Sequence, residues 1–171
     1  MNLLFISKYF EGTISREEIL ESIYVKYSNS LYRMSLFYLK NIQDAEEVVS
    51  DTFIKIIEKN PKFNDENHEK YWILKTCANI CKDRLRSNWF KKRVEDFDFD
   101  TIPFESSEER EALEALMNLP VKYRNPIYLH YYEGYSILEI SEILRINENT
   151  VRSQLSRGRN IMKKYLEEEK K

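Results

Sequence analysis

The sequence predicts an all-α protein made of two small helical domains joined by an acidic linker, the second domain a helix-turn-helix. Apolar residues recur at spacings of three and four along most of the chain. Glycine and proline are scarce, 3 and 4 in 171 residues, which disfavours both a glycine-cradled nucleotide fold and a turn-rich β-sandwich. With 42% hydrophobic and 13% aromatic residues the chain can bury real cores. Its charges are sorted into blocks. The formal net charge is only −2, from 27 basic and 29 acidic side chains, yet it runs +3 over residues 1–93, −8 over 94–118 and +3 over 119–171. Residues 70–93 hold eight bases and one acid, Asp83, and residues 145–164 hold six bases and one acid, Glu148. Two separated basic patches predict two contacts with one polyanion.

The opening stretch MNLLFISKYFEG is apolar for six residues but meets Lys8 and Glu11 before a signal core or membrane span forms. The expectation is a chain that is neither exported nor inserted in a membrane. Ile19, Ile23, Tyr27, Leu31, Met34 and Tyr38 predict a first amphipathic helix ending near Lys40 and Asn41. Asp44 stands where the next N-cap is expected. Ala45, Val48, Val49, Thr52, Phe53, Ile56 and Ile57 form the buried stripe of the second helix. Its other side carries Asp44, Glu47, Asp51 and Lys55, stacked by spacings of three and four into one largely acidic ridge, which cannot be the face that meets DNA.

Asn60 and Pro61 stop that helix. A polar loop follows, then a third helix from about Lys70 into the basic run ending at Arg93. Trp72, Ile73, Thr76, Cys77, Ile80 and Leu85 supply its apolar side, while Lys75, Asn79, Lys82, Arg84 and Arg86 are expected to point outward. Cys77 and Cys81 are the only cysteines. They are too few for a disulfide framework and lack the further ligands of a structural zinc site. Lying on or beside the buried stripe, they read as small core residues in a reducing cytoplasm.

Residues 94–111 alternate acids with phenylalanine, contain Pro103 and show no helical period. They read as a linker between domains at 1–93 and 112–171 that leaves the separation of the two halves unfixed. One helix is expected from Glu108 to Asn118. Pro120 sits at an N1-like position of the next, which Pro126 either kinks or restarts with Asn125 as cap. Gly134 closes it, and Ser136 with Glu139 makes a capping box for a short helix, Ile137 to Leu144. Asn147 caps the last helix, whose apolar face runs Val151, Leu155, Gly158, Met162 and Leu166. The turn between these two helices is about three residues, the spacing of a helix-turn-helix.

In such a motif the second helix enters the major groove and presents its N-terminal half to base edges. Here that half carries Asn149, Thr150, Arg152, Ser153, Gln154, Ser156 and Arg157. Arginine can chelate a guanine, and glutamine or asparagine an adenine, so the side-chain types suit direct readout. Arg159, Lys163 and Lys164 are placed for phosphate. Gly158 costs about 1 kcal/mol of helix propensity relative to alanine, and its place on the apolar stripe predicts close packing that offsets it.

DAEEVVSDTFIKII (44–57), YWILKTCANICKDRLR (71–86) and LPVKYRNPIYLHYYEGYSILEISEILRINENTVRSQLSRGR (119–159) resemble, in order and spacing, the two conserved regions of the extracytoplasmic-function sigma factors of bacterial RNA polymerase. The resemblance assigns work to faces already found. It implies that the ridge of Asp44, Glu47, Asp51 and Lys55 docks on the clamp coiled coil of the polymerase largest subunit. It implies that the loop 61–69, with Phe63 and Asn64, and the third helix, with Asn79, Lys82 and Arg86, read the melted upstream promoter element. There Phe63, or secondarily Trp72, would stack on or wall in a flipped base, although for Trp72, on the apolar stripe, a place in the core is the stronger reading. Arg152, Ser153 and Arg157 fall on the family's base- and phosphate-contacting positions. His130 replaces a position often basic in relatives, which weakens the expectation of a phosphate contact there. The partners implied are core RNA polymerase, promoter DNA and an anti-sigma factor; no cofactor, metal or catalytic residue is implied.

Two other classes compete with this reading. A stand-alone helix-turn-helix repressor accounts for the second half but leaves the acidic ridge and the Asn79 segment without a purpose. A nuclease or recombinase needs clustered carboxylates for Mg²⁺ or a positioned nucleophile. Asp83 and Glu148, the acids of the basic segments, stand isolated, and the two histidines lie far apart in sequence.

Overall fold

The computed structural model of the protein describes residues 15–87 and 106–168. Among them are seven helices and no strand: α1 Arg16–Leu39, α2 Ile42–Lys59, α3 Glu66–Arg86, α4 Ser107–Met117, α5 Val121–Tyr131, α6 Ile137–Leu144 and α7 Glu148–Glu168. The apolar opening stretch, the basic run beyond Ser87 and residues 94–105 of the linker lie outside the described residues.

A capping box starts α1. The Ser15 hydroxyl accepts from the Glu18 amide, and the Glu18 carboxylate accepts from the Ser15 amide at 2.7 Å. Ile23, Tyr27, Leu31, Met34 and Tyr38 are buried as their spacing predicts, but Ile19, in the first turn, remains exposed. Lys40 takes a left-handed conformation (φ 55°) and ends the helix. The sequence reading misplaced the next cap. Asn41, not Asp44, is the N-cap of α2, and its side chain accepts from the Asp44 amide at 2.8 Å. The chain reverses at Lys40, so the first cap-competent side chain after the turn takes the position. Asp44 is thereby drawn into the first helical turn and buried.

Along α2, Ala45, Val48, Val49, Thr52 and Ile56 are buried, Phe53 is half-buried and Ile57 is exposed, a narrower stripe than expected. Asn60, at φ 43°, ends the helix before Pro61, as read from sequence. By contrast α3 begins at Glu66, because the Asp65 side chain accepts from the His68 amide at 2.7 Å and Glu66 and Glu69 suit a helix N-terminus. The polar loop is therefore shorter than 61–69. Glu69 is buried, accepting from the Tyr27 hydroxyl at 3.0 Å and the Lys26 ammonium at 3.1 Å. Cys77 and Cys81 are both free and buried, as expected of core residues. Burial pushes the Cys81 thiol well above its ordinary pKa.

In the second half, Ser106 caps α4, one residue earlier than the spacing suggested. Pro120 is the N-cap residue of α5, and the helix runs through Pro126 without restarting at Asn125. The carbonyl that loses its amide partner there belongs to exposed Lys122, where water can replace it. Gly134 adopts φ 74° in the turn after α5. The Ser136 and Glu139 capping box forms as predicted, with the Glu139 carboxylate 2.7 Å from the Ser136 amide. Arg145, Ile146 and Asn147 make the turn, and the Asn147 side chain accepts from the amides of Asn149 and Thr150 at 2.8 and 3.2 Å. The helix-turn-helix is thus fixed by caps at both of its starts.

Gly158 sits where α7 crosses α5. A Cβ built there would meet Ile127 Cγ1 at 3.0 Å and Tyr123 Cβ at 3.3 Å. Gly158→Ala gains about 1 kcal/mol of helix propensity and loses about 1–3 kcal/mol to overpacking. A net fall in the thermal unfolding midpoint is expected; a rise would mean that the crossing relaxes freely.

The sequence suggested two halves with no fixed separation, and here the structure differs. One apolar core runs through both halves, α1 packing on α5 and α3 on α6. The Phe37 and Tyr128 rings lie 4.4 Å apart across the seam, and the Tyr71 hydroxyl donates to the Glu139 carbonyl at 2.8 Å. Ser30 donates to Glu133 at 2.9 Å, and the Lys70 ammonium stands 4.4 Å over the Tyr135 ring. These contacts join residues 65 to 103 positions apart, which local periodicity cannot register.

Candidate functional site

Three faces emerge, on α2, α3 and α7. On α2 the acidic ridge exists in altered form. Glu47 and Asp51 are well exposed, with side-chain exposures of 57% and 45%, but the Asp44 side chain is 1% exposed. Arg84 of α3, expected to point outward, turns back across the ridge. Its Nη1 donates to Glu47 at 2.7 Å and more weakly to Asp44 at 3.4 Å, and its Nη2 donates to Asp51 at 2.7 Å. Partial burial opposes the charge on Arg84, but the bonds to Asp51 and Glu47 outweigh it and raise its pKa above the ordinary arginine value. Burying the Asp44 carboxylate without that guanidinium would be strongly unfavourable. Lys55 pairs with Glu58 at 2.9 Å at the far end of the helix face. The sequence signal for Arg84 was present: Ile73, Cys77, Cys81 and Arg84 fall at spacings of four, four and three, one stripe of α3.

The second face begins at the start of α3. Phe63 packs edge-on to Trp72 with ring centroids 6.0 Å apart and to His68 at 5.8 Å, so the two aromatic candidates form one cluster with a histidine that the sequence reading passed over. Asn64 is exposed, and its amide donates to His68 Nδ1 at 3.3 Å. Trp72 and Asn79 are half-buried and Arg86 is exposed. Spaced by seven residues, these three recur on one face of α3 about 10 Å apart. Lys82 departs from the outward expectation: its ammonium donates to the Leu144 carbonyl at the C-terminal end of α6. Burial there lowers its pKa, with Arg86 and Arg145 adding repulsion.

The third face is the exposed side of α7. Asn149, Thr150, Arg152, Ser153, Ser156, Arg157, Arg159 and Lys163 are all exposed, as are Lys164 and Asn160. Gln154 is not among them. It turns toward the seam, where its Oε1 is buried without a partner and lines a cavity of about 200 Å³ with Lys82 and Asn125. Arg152 is held by Glu148 at 2.8 Å and Asn149 at 3.2 Å, and Arg159 donates to the Tyr131 hydroxyl at 3.0 Å. Ser153 donates to the Thr150 carbonyl at 3.2 Å, the local bond that competes with a DNA contact. Arg157 and Lys122 beside the Tyr123 hydroxyl lower its pKa. His130 is engaged with the Tyr135 carbonyl through Nδ1 at 2.7 Å.

Among the described residues no cluster of His, Cys, Asp and Glu could hold a metal ion, and no helix is long and apolar enough to cross a membrane. The fold and these faces define a class: an all-helical DNA-binding protein with a helix-turn-helix and a separate acidic ridge. The comparisons with known proteins carry this further. The model for sigma-70 region 2 matches residues 23–91, and that for sigma-70 region 4 matches residues 109–162. SigX, an extracytoplasmic-function sigma factor of Bacillus subtilis, is 26% identical over 170 residues, covering 88% of this chain and 85% of SigX. SigV of the same organism is 29% identical over 149 residues, covering 84% of this chain and 88% of SigV. Among solved structures, the sigma factor RpoE of Bartonella quintana, in complex with the anti-sigma factor NepR, shares the fold. Its TM-score is 0.74 at 20% identity, covering 88% of this chain and 98% of RpoE. CnrH, in complex with the cytosolic domain of CnrY, has a TM-score of 0.63 at 18% identity, covering 90% of each chain.

The chain belongs to the sigma-70 family, as an extracytoplasmic-function sigma factor. It directs promoter recognition by RNA polymerase, and the stand-alone repressor reading is not favoured.

Proposed function

We propose that the three faces divide the work of this sigma factor. Glu47 and Asp51 on α2, with Asp44 beneath them and Lys55 alongside, dock on core RNA polymerase. The loop before α3, with Phe63 and Asn64, and the α3 face carrying Trp72, Asn79 and Arg86 read the melted promoter element, while Lys82, turned onto the Leu144 carbonyl, braces that helix against α6. The exposed side of α7 reads the upstream duplex. Residues 1–93 form the first functional unit and 112–171 the second, with 94–111 between them. The protein acts as a binding factor with no enzymatic step of its own, in the cytoplasm where the polymerase works, and an anti-sigma factor is its regulatory partner. The last point rests on the solved neighbours RpoE and CnrH, whose structures contain NepR and the cytosolic domain of CnrY.

The observation that carries this reading is the separation of charge. The acidic ridge of α2 and the basic reader of α7 lie on different elements, so one molecule can hold a cationic protein surface and a polyanion at once. A repressor needs only the second. Run-off transcription with core polymerase, this protein and a promoter library tests function and specificity together. Initiation from a defined subset of promoters is expected, and tight operator binding by the protein alone, with no transcription, would overturn the reading.

Asn79 offers donor and acceptor to a base edge. Asn79→Ala is expected to lower transcription about fivefold to tenfold, the loss of roughly one hydrogen-bonded contact of about 1 kcal/mol, with core binding unchanged. Equal losses on every base variant of the melted element, together with a lower melting temperature, would show instead that Asn79 merely braces α3.

A further inference from the structure

We propose that Arg84 is a positioning residue for polymerase docking, its guanidinium setting the spacing of the Glu47 and Asp51 carboxylates that the partner must find. The proposal rests on the docking role given above to the α2 ridge. Glu47 and Asp51 stand one turn apart, where like charges repel. Arg84 places one terminal nitrogen on each, both at 2.7 Å, and reaches Asp44 beneath them. A planar fork with fixed donor directions holds two carboxylates side by side in a way that a single ammonium cannot. The bonds engage Glu47 Oε2 and Asp51 Oδ2, and the two side chains stay about half exposed, open to a partner.

Net charge argues in the other direction. A surface that receives a cationic partner binds it more tightly when more negative, and Arg84 makes the ridge less negative. Its benefit has to be geometric: carboxylates already ordered lose less side-chain freedom on docking. Arg84 also lies on the helix assigned to the melted element, two residues from Lys82 and from Arg86, so the docking face extends onto α3. The sign of one measurement separates the two effects.

The experiment measures the affinity of the full-length protein for core RNA polymerase across a range of salt concentrations, for the native chain, Arg84→Lys and Arg84→Met. Thermal unfolding of each variant sets an assay temperature at which it is folded. Arg84→Lys keeps the charge beside Asp44, so its fold is maintained, but it lacks the fork. Its affinity is expected to fall about tenfold with an unchanged salt dependence, the loss of roughly one charge-assisted contact. Arg84→Met is expected to weaken binding at least as much although the ridge becomes more negative. Native affinity in Arg84→Lys, or tighter binding by Arg84→Met, would overturn the proposal. Glu47→Lys with Asp51→Lys is the reference. If that double variant still binds core polymerase, the docking reading itself fails; if it loses binding while Arg84→Lys keeps it, only the role of Arg84 fails.

Discussion

Reversing the charge of the two exposed ridge carboxylates, Glu47→Lys with Asp51→Lys, is expected to weaken binding to core RNA polymerase more than about a hundredfold. Each substitution removes an attraction for a cationic docking surface and adds a repulsion in its place. The fold should survive, for a reason visible in the burial of the three acids. Glu47 and Asp51 are about half exposed, whereas Asp44, which anchors Arg84 from below, is 1% exposed and is left intact. Exposed ion pairs contribute about 0.2–1 kcal/mol each, so the double variant should lose on the order of 1–2 kcal/mol of stability. That is more than an isolated surface ridge would lose, because Arg84 would then face two cations. Co-purification at moderate salt and thermal unfolding measure the two effects separately. Retained binding would remove the ridge from the docking surface.

Asp44→Ala belongs in a different class, although sequence spacing placed it on the same ridge. It removes a buried carboxylate that holds Arg84, so instability would accompany any loss of binding and the result would not report on docking. The i, i+3, i+4 rule locates side chains around a helix axis but not the depth at which a neighbouring helix crosses it. Asp44 shares the angular sector of Glu47 and Asp51, and it is buried because α3 packs over that end of α2.

The same distinction explains what the sequence made legible. Helix starts that depend on residues three apart were readable, as at Ser136 with Glu139 and at Asn147. Stops such as Asn60 before Pro61 were readable for the same local reason. The start of α3 is not legible because the sequence NDENHE after Phe63 is polar throughout, and nothing in its composition marks Asp65 as the cap rather than as one more loop acid. At α2 two cap-competent residues lie three apart, and the choice fell to Asn41 only because Lys40 reverses the chain just before it. The seam was beyond local reading altogether. Lys82 reads in sequence as one more outward base of a basic helix, but its ammonium meets the Leu144 carbonyl of α6; Gln154 reads as a base reader, but it faces the seam beside Lys82 and Leu85 of α3. In each case a polar side chain on a correctly placed helix was claimed by an element distant in sequence.

On α7, whose exposed face was the most legible of the three, position along the helix should separate specificity from affinity. Arg152 stands in the first turns, held by Glu148 at 2.8 Å and Asn149 at 3.2 Å, while Lys163 lies about three turns further on, paired only loosely with Glu167 at 3.7 Å. Losing a bidentate arginine contact costs about 1–3 kcal/mol against the preferred base, so Arg152→Ala should relax preference at one or two promoter positions by about tenfold or more. The bond to Glu148 sharpens this expectation, since a guanidinium already oriented at the helix N-terminus enters the groove with less ordering to complete. Arg157→Ala should act in the same way, with a smaller contribution from the contact it makes to Tyr123. Lys163→Ala should instead weaken all sequences alike and reduce the salt slope by about one. Ser153, whose hydroxyl already donates to the Thr150 carbonyl, should give the smallest loss of the set. Promoter-library transcription with each alanine variant reads all four. An unchanged sequence profile for both Arg152→Ala and Arg157→Ala would mean that α7 holds the duplex without reading it.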